Sequence, residues 1–128
     1  MADGEIKMGR VVWTDLTVAD ADTEKIRDFY AAVAGWIYEP VSMGEYSDYS
    51  MLPRGGGDPV AGVCHARGVN ANIPPQWLIY VQVNDLDVSV RRCLERGGKL
   101  IDGPRPMGET RFCVIQDPAG AYVGLVGK

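Results

Sequence analysis

Val18-Ala19-Asp20-Ala21-Asp22 is answered 65 positions later by Val83-Asn84-Asp85-Leu86-Asp87. That echo decides how the rest of the chain is read. Each copy follows an apolar run rich in β-branched and aromatic residues, Val11 to Leu16 in the first and Trp77 to Gln82 in the second. Each precedes a segment of helical spacing that ends in glycine. Further on, Asp58-Pro59 before Ala61-Gly62-Val63 is matched by Asp117-Pro118 before Val123-Gly124-Leu125. Several matches in the same order mark an internal duplication, and self-similarity at a fixed offset sets the architecture before any single element does.

Working outward, the first copy opens with a strand over 10–18. Asp22 is the expected helix N-cap, with Glu24 in the first turn to suit the helix dipole. Ile26, Phe29, Tyr30 and Val33 recur at three- and four-residue steps, an apolar stripe stopped by Gly35. Strands over 36–41, 46–52 and 60–66 follow, with a loop at 53–59. The second copy repeats this order. A strand over 77–83 leads to a helix capped by Asp87, whose inner face carries Val88, Val90, Cys93 and Leu94. After Gly97-Gly98 come a short strand over 99–102, a loop over 104–108, and strands over 111–116 and 121–126. The reading is α+β: tandem βαβββ modules at about 9–66 and 76–126, a linker at about 67–75, and one domain over 1–128. One-sided sheets bury their apolar faces by pairing, so two curved mixed sheets are expected around a cleft, with the helices outside.

Composition agrees. The 128 residues are 46% hydrophobic and 23% charged, which fits a globular domain rather than a disordered segment. Gly 16 and Pro 8 suit many short elements separated by turns. Thirteen basic residues against 17 acidic ones leave a net charge of −4. No basic stripe is present of the kind that nucleic acid requires, and no apolar run reaches the length of a membrane span. Residues 1–10 lack the apolar centre of a signal peptide. Cys64, Cys93 and Cys113 show no CxxC spacing and read as reduced thiols, so a cytoplasmic location is expected.

Side-chain alternation assigns the cleft face. Trp13, Asp15 and Thr17 alternate with Val12, Thr14, Leu16 and Val18, which are expected to pack on the helix. Leu78, Tyr80 and Gln82 oppose Trp77, Ile79, Val81 and Val83. Tyr49, Met51 and Arg111 are expected to extend the wall, with Arg111 as the cation able to clamp a carboxylate or phosphate. An aromatic face with a few polar groups is the chemistry of a small-molecule site. Gly55-Gly56-Gly57 lacks the Gly-Lys-Ser/Thr ending of a phosphate loop and reads as a hairpin turn.

The tandem βαβββ order, Asp28-Phe29-Tyr30 before Ala34-Gly35-Trp36, and Asp117-Pro118-x-Gly120 before the last strand resemble the vicinal oxygen chelate superfamily. That group includes glyoxalase I, extradiol dioxygenases, fosfomycin-resistance enzymes and bleomycin-binding proteins. The resemblance covers about residues 9–126 and is nearest to small bacterial glyoxalase-like proteins. It implies a divalent metal held by His, Gln or Glu on the first and last strands of each module, and it implies a homodimer. In this chain those positions fall on Trp13, Leu78, Gly62 or Val63, and Gly124, none of which offers a side-chain metal ligand. The expectation is therefore a metal-free, cofactor-free module for a small aromatic or amphipathic ligand, its site formed by Trp13, Asp15, Tyr49, Met51, Tyr80, Gln82 and Arg111. The alternative is a metal-dependent lyase or dioxygenase drawing on Asp15, His65, Gln82 and Glu109.

Overall fold

The computed structural model describes residues 7–67 and 71–128. Gly68, Val69 and Asn70, from the middle of the expected linker, lie outside the described residues. The chain divides into two units, residues 14–77 and residues 78–128 together with the residues up to 13. The βαβββ order appears twice, as the duplication predicts.

Strand β1 spans Val11–Val18. In the unit of residues 14–77 its later residues are followed by helix α1 (Thr23–Ala34) and strands β2 (Ile37–Ser42), β3 (Ser47–Leu52) and β4 (Ala61–His65). The strands lie in the order β2-β3-β4-β1. β1 and β4 run parallel, with Leu16 beside Val63 and Val18 beside His65. Gly35 ends α1 in the left-handed conformation, φ 75°, which the missing Cβ permits without strain. Asp22 does sit just before α1 but makes no side-chain capping bond. Asp20–Asp22 instead winds as a 3-10 turn, and the Thr23 hydroxyl donates to Ala19 O at 3.2 Å.

Met51, Ala61 and Val63 form the core here, with Ile26, Tyr30, Trp36, Tyr49 and Trp77 packed against them. Of the expected inner stripe of α1, Ile26 and Tyr30 reach this core. Phe29 and Val33 remain 52% and 67% exposed. Val33 stands in the last helical turn outside the cluster, and Phe29 lines a groove instead. β2 is the edge strand, exposed along its whole length and carrying Pro40.

In the other unit the elements are β5 (Trp77–Gln82), α2 (Leu86–Glu95), β6 (Lys99–Met107), β7 (Thr110–Gln116) and β8 (Tyr122–Gly127). Their order, β5-β8-β7-β6, repeats that of the first copy strand for strand. The core is Val83, Leu86, Cys113 and Leu125, joined by Val81, Val90 and Ile115. Three expectations change. Asp85, not Asp87, caps α2, its carboxylate accepting from Val88 N–H at 3.2 Å. Leu86, fully buried, takes the core place expected for Leu94, which is 54% exposed. The stretch read as a loop at 104–108 is the second half of β6, which stays paired to β7 as far as Met107. Register shifts between Leu100 and Asp102 and between Asp102 and Arg105 absorb the Gly103-Pro104 pair, and proline is tolerated because β6 is an edge strand. Among the described residues no helix is long and apolar enough to cross a membrane.

Candidate functional site

Two faces can be told apart in the unit of residues 78–128. Cys113 and Leu125 pair in register and pack with Leu86 and Val90 of α2, so they mark the helix-covered face. By alternation Tyr80, Gln82, Phe112, Val114 and Gly124 belong to the opposite face. Tyr80 pairs with Gly124, and its ring lies where any side chain at 124 would go, since a Cβ there would be 2.2 Å from Tyr80 Cδ2. The rings of Tyr80 and Phe112 meet at 6.3 Å between centroids, inclined by 65°. The Arg105 guanidinium stands over the other ring of that pair, 4.7 Å from the Phe112 centroid, and is ion-paired to Asp102. Tyrosine, phenylalanine and arginine thus make a column on the helix-free face, with Phe112 and Arg105 half-buried and Tyr80 buried.

Sequence reasoning missed Phe112, Arg105 and Asp102. Phe112 could have been found by carrying alternation from Tyr80 through Gly124 to the next strand. Arg105 and Asp102 were hidden because Pro104 suggested a loop, and without the β6 register neither could be placed on a face.

The expected site residues divide between the two units: Trp13, Tyr80, Gln82 and Arg111 belong to one, Asp15, Tyr49 and Met51 to the other. Tyr80 is buried and Gln82 half-buried on the helix-free face, where the Gln82 side-chain amide donates to Val83 O at 3.1 Å. Trp13 is half-buried. Asp15, opposite Gly62 in β4, lies on the helix-free face of its own unit, because its neighbour Leu16 sits with Val63 on the helix side. Tyr49 and Met51 are corrections. Their partners in β4 are Val63 and Ala61, so both point into the core beneath α1 and add nothing to a face shared with Asp15. Arg111 is also corrected. It shares the helix-side parity of Cys113, and its guanidinium forms a forked pair with Asp87, Nη1 to Oδ1 at 3.2 Å and Nη2 to Oδ2 at 3.0 Å. That pair holds the Asp87 carboxyl below its ordinary value through the Arg111 hydrogen bond. Glu109 is exposed in the turn between β6 and β7.

His65, the one histidine, is 5% exposed at the end of β4. Its Nδ1 lies 3.1 Å from Asp48 Oδ1, and its Nε2 lies 3.3 Å from Glu24 Oε2 and 3.8 Å from Asp20 Oδ1. The same Asp48 oxygen accepts the His65 backbone N–H at 2.9 Å. Each carboxylate beside Nε2 has a second partner. Tyr49 Oη donates to Glu24 at 2.9 Å and lowers its pKa, while Arg67 grips Asp20 at 2.6 and 3.1 Å and lowers that one. The tyrosine in turn is a weaker acid than usual, through burial and then through Glu24. This cluster ties β3 and β4 to the start of α1.

Testing the residues for a metal gives a poor fit. The positions implied by resemblance hold Trp13, Leu78, Gly62 or Val63, and a Gly124 already covered by the Tyr80 ring. Among the described residues no group of three or more His, Cys, Asp and Glu side chains converges in a way that could hold an ion.

Two of the thiols are held protonated at neutral pH. Burial, then Asp15 and Asp48, pushes the Cys64 thiol far up, and burial, then Cys93 and Asp102, pushes Cys113 up to about 12. Native protein near pH 8 is therefore expected to resist iodoacetamide at both positions, while unfolded chain is alkylated throughout. Mass mapping checks this, and rapid native alkylation of Cys113 would contradict it. Because the folded thiols hold their protons more tightly than free ones, stability is fully present below the ordinary value of 9.0 and falls as pH rises beyond it.

Residues 15–126 match the family described as "Glyoxalase-like domain". The chain is 33% identical over 124 residues to the protein named "Putative glyoxylase CFP32" of Mycobacterium tuberculosis, covering 94% of this chain and 46% of that protein. It is 31% identical over 118 residues to "Anthracycline biosynthesis protein DnrV" of Streptomyces peucetius, covering 92% and 41%. It thus spans less than half the length of these relatives. Among solved structures, a glyoxalase/bleomycin resistance protein/dioxygenase superfamily member from Vibrio splendidus superposes with TM-score 0.58 at 13% identity, covering 94% of this chain and 99% of that one. Streptomyces coelicolor methylmalonyl-CoA epimerase, in complex with 2-nitronate-propionyl-CoA, gives 0.56 at 16%, covering 95% and 99%. At such identities the likeness is one of fold.

Proposed function

The chain belongs to the glyoxalase-like domain family, and from that premise we propose that it binds a small aromatic or amphipathic molecule without a resident metal. The site is the helix-free sheet face of residues 78–128. The carrying observation is the Tyr80–Phe112–Arg105 column, set against Gly124 where the resemblance would place a metal ligand. Aromatic rings supply stacking area, and the guanidinium over Phe112, its charge met by Asp102, adds a flat polar face to them. Relatives named for anthracycline biosynthesis, and neighbours solved with CoA esters, suit ligands that join a flat or acyl body to polar groups. A homodimer and a cytoplasmic location belong to the same reading.

The test uses 8-anilinonaphthalene-1-sulfonate, an aromatic anion, titrated against folded protein. Tyr80→Ala and Arg105→Gln are each expected to weaken it by roughly tenfold, about 1.4 kcal/mol. Unchanged affinity in both variants removes the site from this face. Elemental analysis after incubation with zinc, nickel, manganese and iron(II) is run alongside. Retention of near-stoichiometric metal would overturn the metal-free reading in favour of a metal-dependent lyase or dioxygenase.

A further inference from the structure

A groove of about 300 Å³ opens beside α1, within residues 14–77 and on the helix side of the sheet. Leu16 and Val18 of β1 and Ile26 of α1 give it aliphatic surface, and Phe29, Tyr30 and Trp77 give it aromatic surface. The aromatic wall is already fixed. Phe29 meets Tyr30 edge-on at 5.0 Å, Tyr30 meets Trp77 edge-on at 5.2 Å, and Trp77 Nε1–H donates to Tyr30 Oη at 3.1 Å. A wall assembled in advance loses little ordering entropy when something binds against it. It also accounts for Phe29, which the core packing of α1 leaves 52% exposed.

A second observation says what the groove lacks. Gln76 lines it, and the Gln76 Nε2 atom is buried with no hydrogen-bond partner among the described residues. Leaving a buried amide donor unmatched costs about 1–3 kcal/mol, and folded proteins rarely keep such a group without a use for it. Among the described residues no Asp, Glu, Lys or Arg lines the groove, and no charged group among them would balance a charge carried in by a ligand. The volume stands at the low end of small-molecule sites.

We propose that this groove is a second binding site, separate from the Tyr80 face, for an uncharged planar aromatic compound bearing a carbonyl that accepts from Gln76 Nε2. The rings of Phe29, Tyr30 and Trp77 take the flat body, and the amide sets its orientation.

The test pairs 2-acetylnaphthalene with 2-isopropenylnaphthalene, which matches it in shape but has no acceptor. Binding to the full chain is followed by the Trp77 indole N–H signal in nitrogen–proton correlation spectra, assigned with Trp77→Phe. A saturable shift is expected for both compounds, with the ketone binding roughly fivefold tighter, the net worth of one hydrogen bond. Gln76→Leu should bring the two affinities together, and Phe29→Ala, at an exposed position, should weaken both while the spectrum stays folded. Tyr80→Ala should leave both unchanged, which separates this site from the proposed function. No saturable shift at Trp77, equal affinities in the unaltered chain, or loss of ketone binding on Tyr80→Ala would each overturn the proposal. Equal affinities would mean that a water already serves Gln76.

Discussion

Met51→Ala is expected to lower the free energy of unfolding by about 2–5 kcal/mol, the range for emptying a packed core position. Met51 is fully buried among Ala61 and Val63, with Ile26, Tyr30 and Trp36 of the same unit closing over it. Removing the thioether leaves a cavity that neither the sheet nor the helix can collapse without repacking the Tyr30–Trp36–Trp77 ring cluster. Urea denaturation followed by circular dichroism reads the loss directly. The folded fraction should still bind anilinonaphthalene sulfonate as the unaltered chain does. The opposite pattern, intact stability with lost affinity, would return Met51 to the ligand wall where sequence alternation places it.

Gly124→Ala should be the more telling substitution for the proposed site, although it adds a single methyl group. Its Cβ would stand 2.2 Å from Tyr80 Cδ2 and 2.8 Å from Cγ, so the ring itself must move rather than a flexible tip. Tyr80 is 6% exposed and in contact with Phe112, which leaves it little room. A cost of about 1–3 kcal/mol is expected from overpacking, together with weakened binding of the aromatic probe as the column shifts. Combining it with Tyr80→Ala should recover part of the lost stability and none of the binding, because the two changes share one space. Additive losses of stability in the double variant would show that the ring does not occupy that position.

The duplication made the fold legible. Once Val18-Ala19-Asp20 and Val83-Asn84-Asp85 are aligned, each module follows from apolar periodicity and turn residues, and both modules prove to share one strand order. The site was less legible. Tyr80 and Gln82 lie on a strand whose neighbours all alternate regularly, so counting by two works. Tyr49 and Met51 defeat the same counting because nothing local fixes which parity of β3 meets the helix. That is set by the pairing of Tyr49 with Val63, a contact between strands joined by the 53–60 loop. Arg111 illustrates a different limit. Its partner Asp87 lies 24 positions away, and only the tertiary fold turns a candidate clamp for a ligand into half of an ion pair.

Proline gives the chain one further property. Both edge strands described above carry it, Pro40 in β2 and Pro104 with Pro106 in β6. Exposed strand edges are templates on which stray chains can assemble into fibrils, and β2 is a tempting one, since Ile37, Tyr38 and Val41 are all at least 40% exposed. Each proline deletes an amide donor from that template. Replacing Pro40 with a β-branched residue would return that donor to the exposed β2 edge and is expected to raise aggregation at high protein concentration, read by light scattering.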